Sequence, residues 1–237
     1  MITLYYAPDN ASLIIRIILE ELQVPYETVL VDRSSCQQNS AEYSKLNPKQ
    51  LIPVCLLNGE PVFETAAIAL ALAEQHQSAP GTELAPTVDN TARPQFLKWL
   101  FFMSNTLHPD LRLLFYPEKY VGHNEAEVSR FREATRQRLL DSFTILNTHY
   151  SGVSSDYLFG DSPCIVDIYM AVCMRWAQLY PASSPGQIRC DDYPALKRFM
   201  QKLEIRHAVV KACEAEGISG LLFSEPGYAD PPEGSAT

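Results

Sequence analysis

The stretch that decides the fold runs from Ile52 to Gln77 and reads IPVCLLNGEPVFETAAIALALAEQHQ. At its centre Asn58-Gly59 predicts a two-residue hairpin, because both central positions of that turn require positive φ. Strands over Pro53–Leu57 and Glu60–Phe63 should therefore pair antiparallel. The Ala- and Leu-rich residues from Glu64 to His76 predict a helix after the hairpin.

The residues before this unit predict a strand, a helix and a second strand. Ile2–Tyr6 is a short β-branched and aromatic run that stops before Pro8. Ser12–Leu22 carries apolar residues at helical spacing, and Tyr26–Val31 is again typical of a strand. Residues 1–77 are therefore expected to form one α/β domain with the order βαβ followed by ββα.

The rest of the chain predicts a second, all-α domain. Residues 78–90 contain Pro80, Gly81 and Pro86, which indicates a linker between domains. Residues 91–222 have apolar positions three or four apart, typical of helices with one buried face. The predicted helices include Asn124–Tyr150, 165–179, Tyr193–Leu203 and Arg206–Ala215. The tail over 223–237 is rich in Pro, Gly and acidic residues, and we expect it to be disordered or loosely draped.

The composition excludes several classes of protein. With 19 basic and 28 acidic residues the net charge is −9, which disfavours nucleic acid or an anionic membrane surface as a partner. No apolar run approaches the length of a membrane span, and no secretory signal is visible at the amino terminus. The six cysteines form no Cys-x-x-Cys pair, so we expect no metal site, free thiols and a cytoplasmic location.

Six short motifs occur along almost the whole chain in one order. They are Leu4-Tyr-Tyr-Ala-Pro8 with Ser12-Leu13, Asn47-Pro48 through Pro53-Val54, Glu64-Thr65-Ala66-Ala67-Ile68, Gly160-Asp161 through Val166-Asp167, Arg175-Trp176-Ala177, and Asp192-Tyr193-Pro194. In these motifs the chain resembles the cytosolic glutathione transferases, in a pattern similar to the bacterial beta class. The resemblance implies a thioredoxin-like domain followed by a helical domain, a homodimer, and glutathione as co-substrate. It also implies that the glutathione thiol attacks a small, apolar electrophile.

The resemblance assigns glutathione-binding roles to residues of the first domain. Pro53 is expected to follow a cis peptide bond, which turns the main chain of Ile52 toward the cysteinyl part of glutathione. Glu64 and Thr65 either cap the helix that follows them or bind the γ-glutamyl end, and the resemblance favours binding. Lys49 is expected near the glycyl carboxylate, and Arg33 is an alternative. Each of them taken alone is more simply interpreted as an ordinary surface charge.

The residue that activates the thiol stays open at this stage. The beta class often has a cysteine just before its Ser-Leu pair, but this chain has Ala11 there. Ser12 is the nearest hydroxyl, while Asn10 is similar to the loop residue that other bacterial relatives use. Either residue would also serve as an ordinary helix cap. A tyrosine at the end of the first strand, Tyr5 or Tyr6, is the remaining candidate.

The second domain is expected to complete the site. His108 matches a histidine that beta-class relatives carry on their first long helix, although it would also be an ordinary surface histidine beside Pro109. Apolar side chains of the same region are candidate walls for the electrophile: Phe101, Phe102, Met103 and Phe115. Two other functions use the same scaffold, a glutathione-dependent disulfide reductase or isomerase and a non-catalytic binding protein.

Overall fold

In a computed structural model, which describes residues 1–76, 83–182 and 187–236, the chain forms an α/β domain followed by a helical domain. The first contains strands β1 (Ile2–Tyr6), β2 (Tyr26–Leu30), β3 (Val54–Leu57) and β4 (Glu60–Phe63), and helices α1 (Ser12–Leu22), α2 (Ala41–Leu46) and α3 (Thr65–Gln75). The second contains α4 (Arg93–Phe102), α5 (His108–Phe115), α6 (Glu118–Val121), α7 (Glu125–Ser151), α8 (Ile165–Leu179), α9 (Pro194–Glu204) and α10 (His207–Glu214). The predicted class and element order are confirmed, with boundaries shifted by about one residue.

The four strands form one mixed sheet in the order β2-β1-β3-β4. β1 is parallel to β2 and antiparallel to β3, and β3 is antiparallel to β4. The predicted hairpin is present, with positive φ at Asn58 (54°) and Gly59 (87°). In this register Tyr5 pairs with Val54 and Val54 with Phe63, so the end of β1, the start of β3 and the end of β4 lie at one edge.

Helix α1 lies at the centre of the molecule. It packs against β1 and α3 of its own domain and against α8 and α10 of the helical domain. Its aliphatic side chains are therefore buried all round rather than on one face: Leu13, Ile14, Ile15, Ile17, Ile18 and Leu19. This burial explains why the helix is almost continuously apolar.

Helices α4 and α5 are joined by a π-helical turn over Met103–Leu107. Pro109, two residues after this turn, has no N–H to donate, so a regular hydrogen-bond ladder is interrupted here. His108 is the first residue of α5, beside this irregular turn.

The linker and the tail are more closely packed than their compositions predict. Residues 78–82 of the predicted linker lie outside the described part of the chain, but Leu84 and Ala85 are buried, and the Leu84 carbonyl accepts from the Ile165 N–H. The tail is not loosely draped. Its Asp230 N–H donates to the Gly217 carbonyl, and its last described residues contact the first domain.

Candidate active site

Three loops of the first domain meet at the sheet edge where β1 ends. They are the β1–α1 loop (7–11), the loop that enters β3 (47–53), and the β4–α3 turn at Glu64. The Ile52-Pro53 peptide bond is cis, as expected. Helix α8 of the second domain faces the same edge, because its side chains and that of Tyr180, which follows it, contact the β1–α1 loop and the α3 start.

The two candidate activating residues differ in exposure. Ser12 is completely buried, and its hydroxyl donates to the Ala7 carbonyl (2.9 Å) and accepts from the Ala7 N–H (3.2 Å). Asn10 is partly exposed, and its Oδ1 accepts from the Ala11 N–H at 2.7 Å. Within the described residues the Nδ2 amide of Asn10 has no hydrogen-bond partner. The loop therefore offers Asn10 to a ligand and uses Ser12 to close its own turn.

Asp9, which sequence reasoning did not single out, is the most heavily bonded residue of this loop. It is 4% exposed and has a left-handed backbone, with φ of 46°. Its carboxylate accepts from the Arg175 guanidinium at 2.9 and 3.0 Å, from Trp176 Nε1 at 3.2 Å and from the Tyr180 hydroxyl at 3.0 Å. Its N–H donates to Glu216 at 2.9 Å. All of these partners belong to the helical domain.

His108 packs against two α8 residues, Tyr169 and Trp176, which in turn bond Thr65 and Asp9. Its Nδ1 is 2.7 Å from the Tyr169 hydroxyl, and its ring lies 5.4 Å from the Trp176 ring. Burial, reinforced by the charge of Arg112, lowers the pKa of His108 to about 4, so the imidazole is neutral at pH 7. The alternative of an ordinary surface histidine does not apply, because His108 is packed between two aromatic residues of α8.

Tyr169 connects His108 with the β4–α3 turn. Burial raises its pKa well above the ordinary range; Cys173 and the charge of Glu64 act in the same direction, while a hydrogen bond with Thr65 lowers the pKa. The Tyr169 hydroxyl is therefore bonded to Thr65, and the charge of Glu64 acts on it without a hydrogen bond. His108 and Thr65 therefore both bond the Tyr169 hydroxyl, although they belong to different domains.

Glu64 does not cap the helix with its side chain. It is exposed, has φ of 74° at the position preceding α3, and its carboxylate makes no cap hydrogen bond. Such a left-handed backbone costs energy in a residue other than glycine and is frequent at binding sites. The carboxylate is consequently free to face a ligand at the positive end of the α3 dipole.

The loop that enters β3 is shaped by Asn47 rather than by Lys49. Asn47 is buried, and its side chain donates to the Leu51 carbonyl (2.8 Å) and accepts from the Lys49 N–H (2.9 Å). The main-chain N–H and C=O of Ile52 have no hydrogen-bond partner in the described part of the chain. The Lys49 side chain is exposed and forms no ion pair with any described residue.

Arg33 holds the end of the chain. Its guanidinium donates to the Ala236 carbonyl and to the Tyr116 hydroxyl, each at 2.8 Å, so it is already engaged. Of the predicted pocket walls, Phe115 lies at the cleft, with its ring 6.0 Å from that of Tyr180. Met103 is buried in the core, and Phe101 is exposed.

The site thus offers an amide donor, free main-chain groups, a carboxylate at a helix start and a neutral imidazole. Such a set is suited to an extended peptide with a charged amino-acid end and a thiol. Among the described residues, no group of three or more His, Cys, Asp and Glu side chains is placed to hold a metal ion. Nor does any helix in the described ranges combine the length and apolar character that crossing a bilayer requires.

Comparison with known proteins agrees with this architecture. The family models described as "Glutathione S-transferase, N-terminal domain" and "Glutathione S-transferase, C-terminal domain" match residues 11–75 and 102–206. Glutathione S-transferase GST-4.5 of Xanthomonas campestris pv. campestris is 28% identical over 91% of this chain and 99% of its own. The disulfide-bond oxidoreductase YfcG of Escherichia coli is also 28% identical, over 90% of this chain and 94% of its own.

A solved structure gives the same result for the fold. The ternary complex of BphK, a bacterial GST, superposes with a TM-score of 0.75 and 30% identity, covering 91% of this chain and 99% of that one. Fold and site together define a two-domain protein, a thioredoxin-like domain followed by a helical domain whose α8 side chains bond the β1–α1 loop. The chain belongs to the glutathione S-transferase family.

Proposed function

We propose that Asn10 activates the thiol of glutathione, the co-substrate of this transferase. A thiol of this kind has a reference pKa of ~8.5, so an enzyme working near neutral pH must stabilise the thiolate. The partly exposed Nδ2 amide of Asn10 supports this role, because an N–H donated to a thiolate favours the charged form. We do not assign this role to Ser12, because its hydroxyl already donates to the Ala7 carbonyl and accepts from the Ala7 N–H.

The remainder of glutathione is assigned to the other loops. The main chain of Ile52 pairs with the cysteinyl backbone, in the manner of an added strand. Glu64 pairs with the α-ammonium of the γ-glutamyl end, while the Thr65 N–H donates to its α-carboxylate. Lys49, exposed and without an ion pair among the described residues, reaches the glycyl carboxylate.

The helical domain contributes orientation and the second half of the pocket. The neutral His108 imidazole orients the Tyr169 hydroxyl toward Thr65 and the γ-glutamyl end. Phe115 and the Tyr180 ring offer an apolar surface to the electrophile. The thiolate then attacks the electrophilic carbon, a C–S bond forms, and the leaving group departs with its electron pair.

Replacement of the two loop residues tests the assignment of the thiol-activating group. We expect N10A to reduce kcat/KM for glutathione and an aryl halide about 10- to 100-fold, the effect of losing a hydrogen bond to a charged group. The matched control S12A should lose stability while keeping the wild-type pH profile. A catalytic defect confined to S12A would instead return the role to the hydroxyl.

A glutathione-dependent disulfide reductase is the second candidate. Its support is the similarity to YfcG, a disulfide-bond oxidoreductase, over 90% of this chain. With Ala11 in the loop, no protein thiol there can form a mixed disulfide, so the reducing electrons would come from two glutathione molecules. Turnover of a model disulfide faster than that of an aryl halide would favour this candidate.

We further propose that the protein is a cytoplasmic homodimer. The six cysteines are all free thiols, which suits a reducing compartment. Phe101 is 52% exposed on α4, an apolar side chain available to a second copy. Sedimentation analysis of the purified protein tests the dimer, and F101E should shift it toward the monomer.

A further inference from the structure

The β1–α1 loop is held by the opposite domain rather than by its own. The Asp9 carboxylate accepts three hydrogen bonds from Arg175 and Trp176 of α8 and a fourth from the Tyr180 hydroxyl. The Asp9 N–H donates to Glu216. Both members of the Asp9–Arg175 ion pair have completely buried side chains. This bonding holds Asp9 in its left-handed conformation, and Asn10 is the next residue.

We propose that Asp9 is a positioning residue for thiol activation: through it, the helical domain sets the direction of the Asn10 amide and hence the pKa of the bound thiol. This inference rests on the proposed role of Asn10. The Asn10 side chain has few rotatable bonds and its Oδ1 is tied to the Ala11 N–H. A change in the Asp9 backbone therefore moves the Nδ2 donor directly.

The charge of Asp9 requires this same set of partners. A carboxylate beside a thiolate would raise the thiol pKa by like-charge repulsion. Arg175 offsets that charge with two hydrogen bonds, and the same guanidinium donates to the carbonyls of Leu222 (3.0 Å) and Gly227 (2.8 Å). The counter-charge is thus fixed in place by the chain that follows α10.

Trp176 joins the two halves of the site. Its Nε1 donates to Asp9 while its ring lies against the His108 imidazole, which contacts Tyr169. The Trp176 side chain therefore contacts both the β1–α1 loop, through Asp9, and the region of Tyr169, through His108.

Direct replacement of Asp9 would leave Arg175 buried without its partner, so that variant tests folding rather than chemistry. Y180F removes a single hydrogen bond to the Asp9 carboxylate and keeps the ring. Y150F is the matched control, because the Tyr150 hydroxyl donates to another buried carboxylate, Asp167, at 2.9 Å in the helical core. W176F removes a different hydrogen bond to the same carboxylate, the one that Trp176 Nε1 donates.

The readout is the ultraviolet absorbance of enzyme-bound glutathione thiolate as a function of pH, with no electrophile present. We expect Y180F and W176F to raise the bound thiol pKa by about half a unit and to lower kcat about threefold, with kcat recovering above the new pKa. Y150F should lower stability and leave the thiol pKa unchanged.

The outcomes separate this inference from the proposed function. If N10A raises the thiol pKa while Y180F and W176F match the wild type, Asp9 has no positioning role and the role of Asn10 stands. Equal shifts in Y150F and Y180F would also overturn the inference. If N10A itself leaves a depressed thiol pKa unchanged, the proposed role of Asn10 fails first.

Discussion

At the scale of single residues, the site depends on which polar groups the fold leaves unsatisfied. Asn10 and Ser12 are two positions apart and carry similar hydrogen-bonding chemistry. The Ser12 hydroxyl both donates to and accepts from the main chain of Ala7, whereas the Nδ2 amide of Asn10 has no hydrogen-bond partner among the described residues. Glu64 follows the same rule, because its carboxylate stands at the start of α3 without capping it.

Glu64 provides a residue-scale prediction. E64Q keeps the shape but loses the charge opposite the α-ammonium, so KM for glutathione should rise about 10- to 100-fold while kcat changes little. Steady-state kinetics with varied glutathione measures this. As a control, a glutathione analogue without the α-amino group should bind the wild type and E64Q equally. A larger loss of kcat than of KM would contradict the assignment.

At the scale of elements, the tail is the segment whose structure departs furthest from its composition. Glu233 accepts from the Tyr6 hydroxyl at 2.5 Å, and the Ala236 carbonyl accepts from Arg33, which also binds Tyr116. Since Phe115 borders the cleft and Tyr116 follows it, the end of the chain lies beside the proposed electrophile pocket.

Truncation after Asp230 tests the consequence of that placement. Because Glu233 is exposed, we expect the loss in stability to stay within about 1 kcal/mol. KM for a bulky electrophile should fall about twofold to fivefold as the pocket opens, while KM for glutathione is unchanged. E233Q, which keeps the tail main chain, should behave as the wild type. Equal changes in both KM values would show that the tail supports the whole cleft instead.

At the scale of the whole molecule, local signals predicted the fold and only part of the site. The Asn58-Gly59 turn and the helical spacing depend on residues close in sequence, so the domain order followed from them. The Asp9 network did not, because Asp9 and Arg175 are 166 residues apart. Nothing in the sequence of the β1–α1 loop indicates that Ser12 turns inward. The tail was misjudged because main-chain carbonyls make several of its contacts, and composition does not encode them.

Glu216 joins the domains and gives the whole molecule a pH-dependent stability. Its carboxylate bonds Arg16 of α1 at 2.8 Å and the Asp9 N–H at 2.9 Å. Burial raises its pKa to about 7, even though Arg16 acts in the opposite direction. The folded protein therefore retains a proton that the unfolded chain releases near its ordinary pKa of 4.5. The free energy of unfolding contributed by Glu216 must fall as pH rises from 4.5 to about 7.

E216Q isolates this contribution, because the amide keeps an acceptor oxygen but does not titrate. Denaturant unfolding at several pH values should show the stability of the wild type declining relative to E216Q from pH 5 to 7, by roughly 1.4 kcal/mol per pH unit at the steepest. His108 titrates in the opposite sense: its lowered pKa makes stability fall as pH drops from 6.5 toward 4. That effect is common to both proteins and cancels in the difference. A difference independent of pH would mean that Glu216 stays ionised, with Arg16 outweighing its burial.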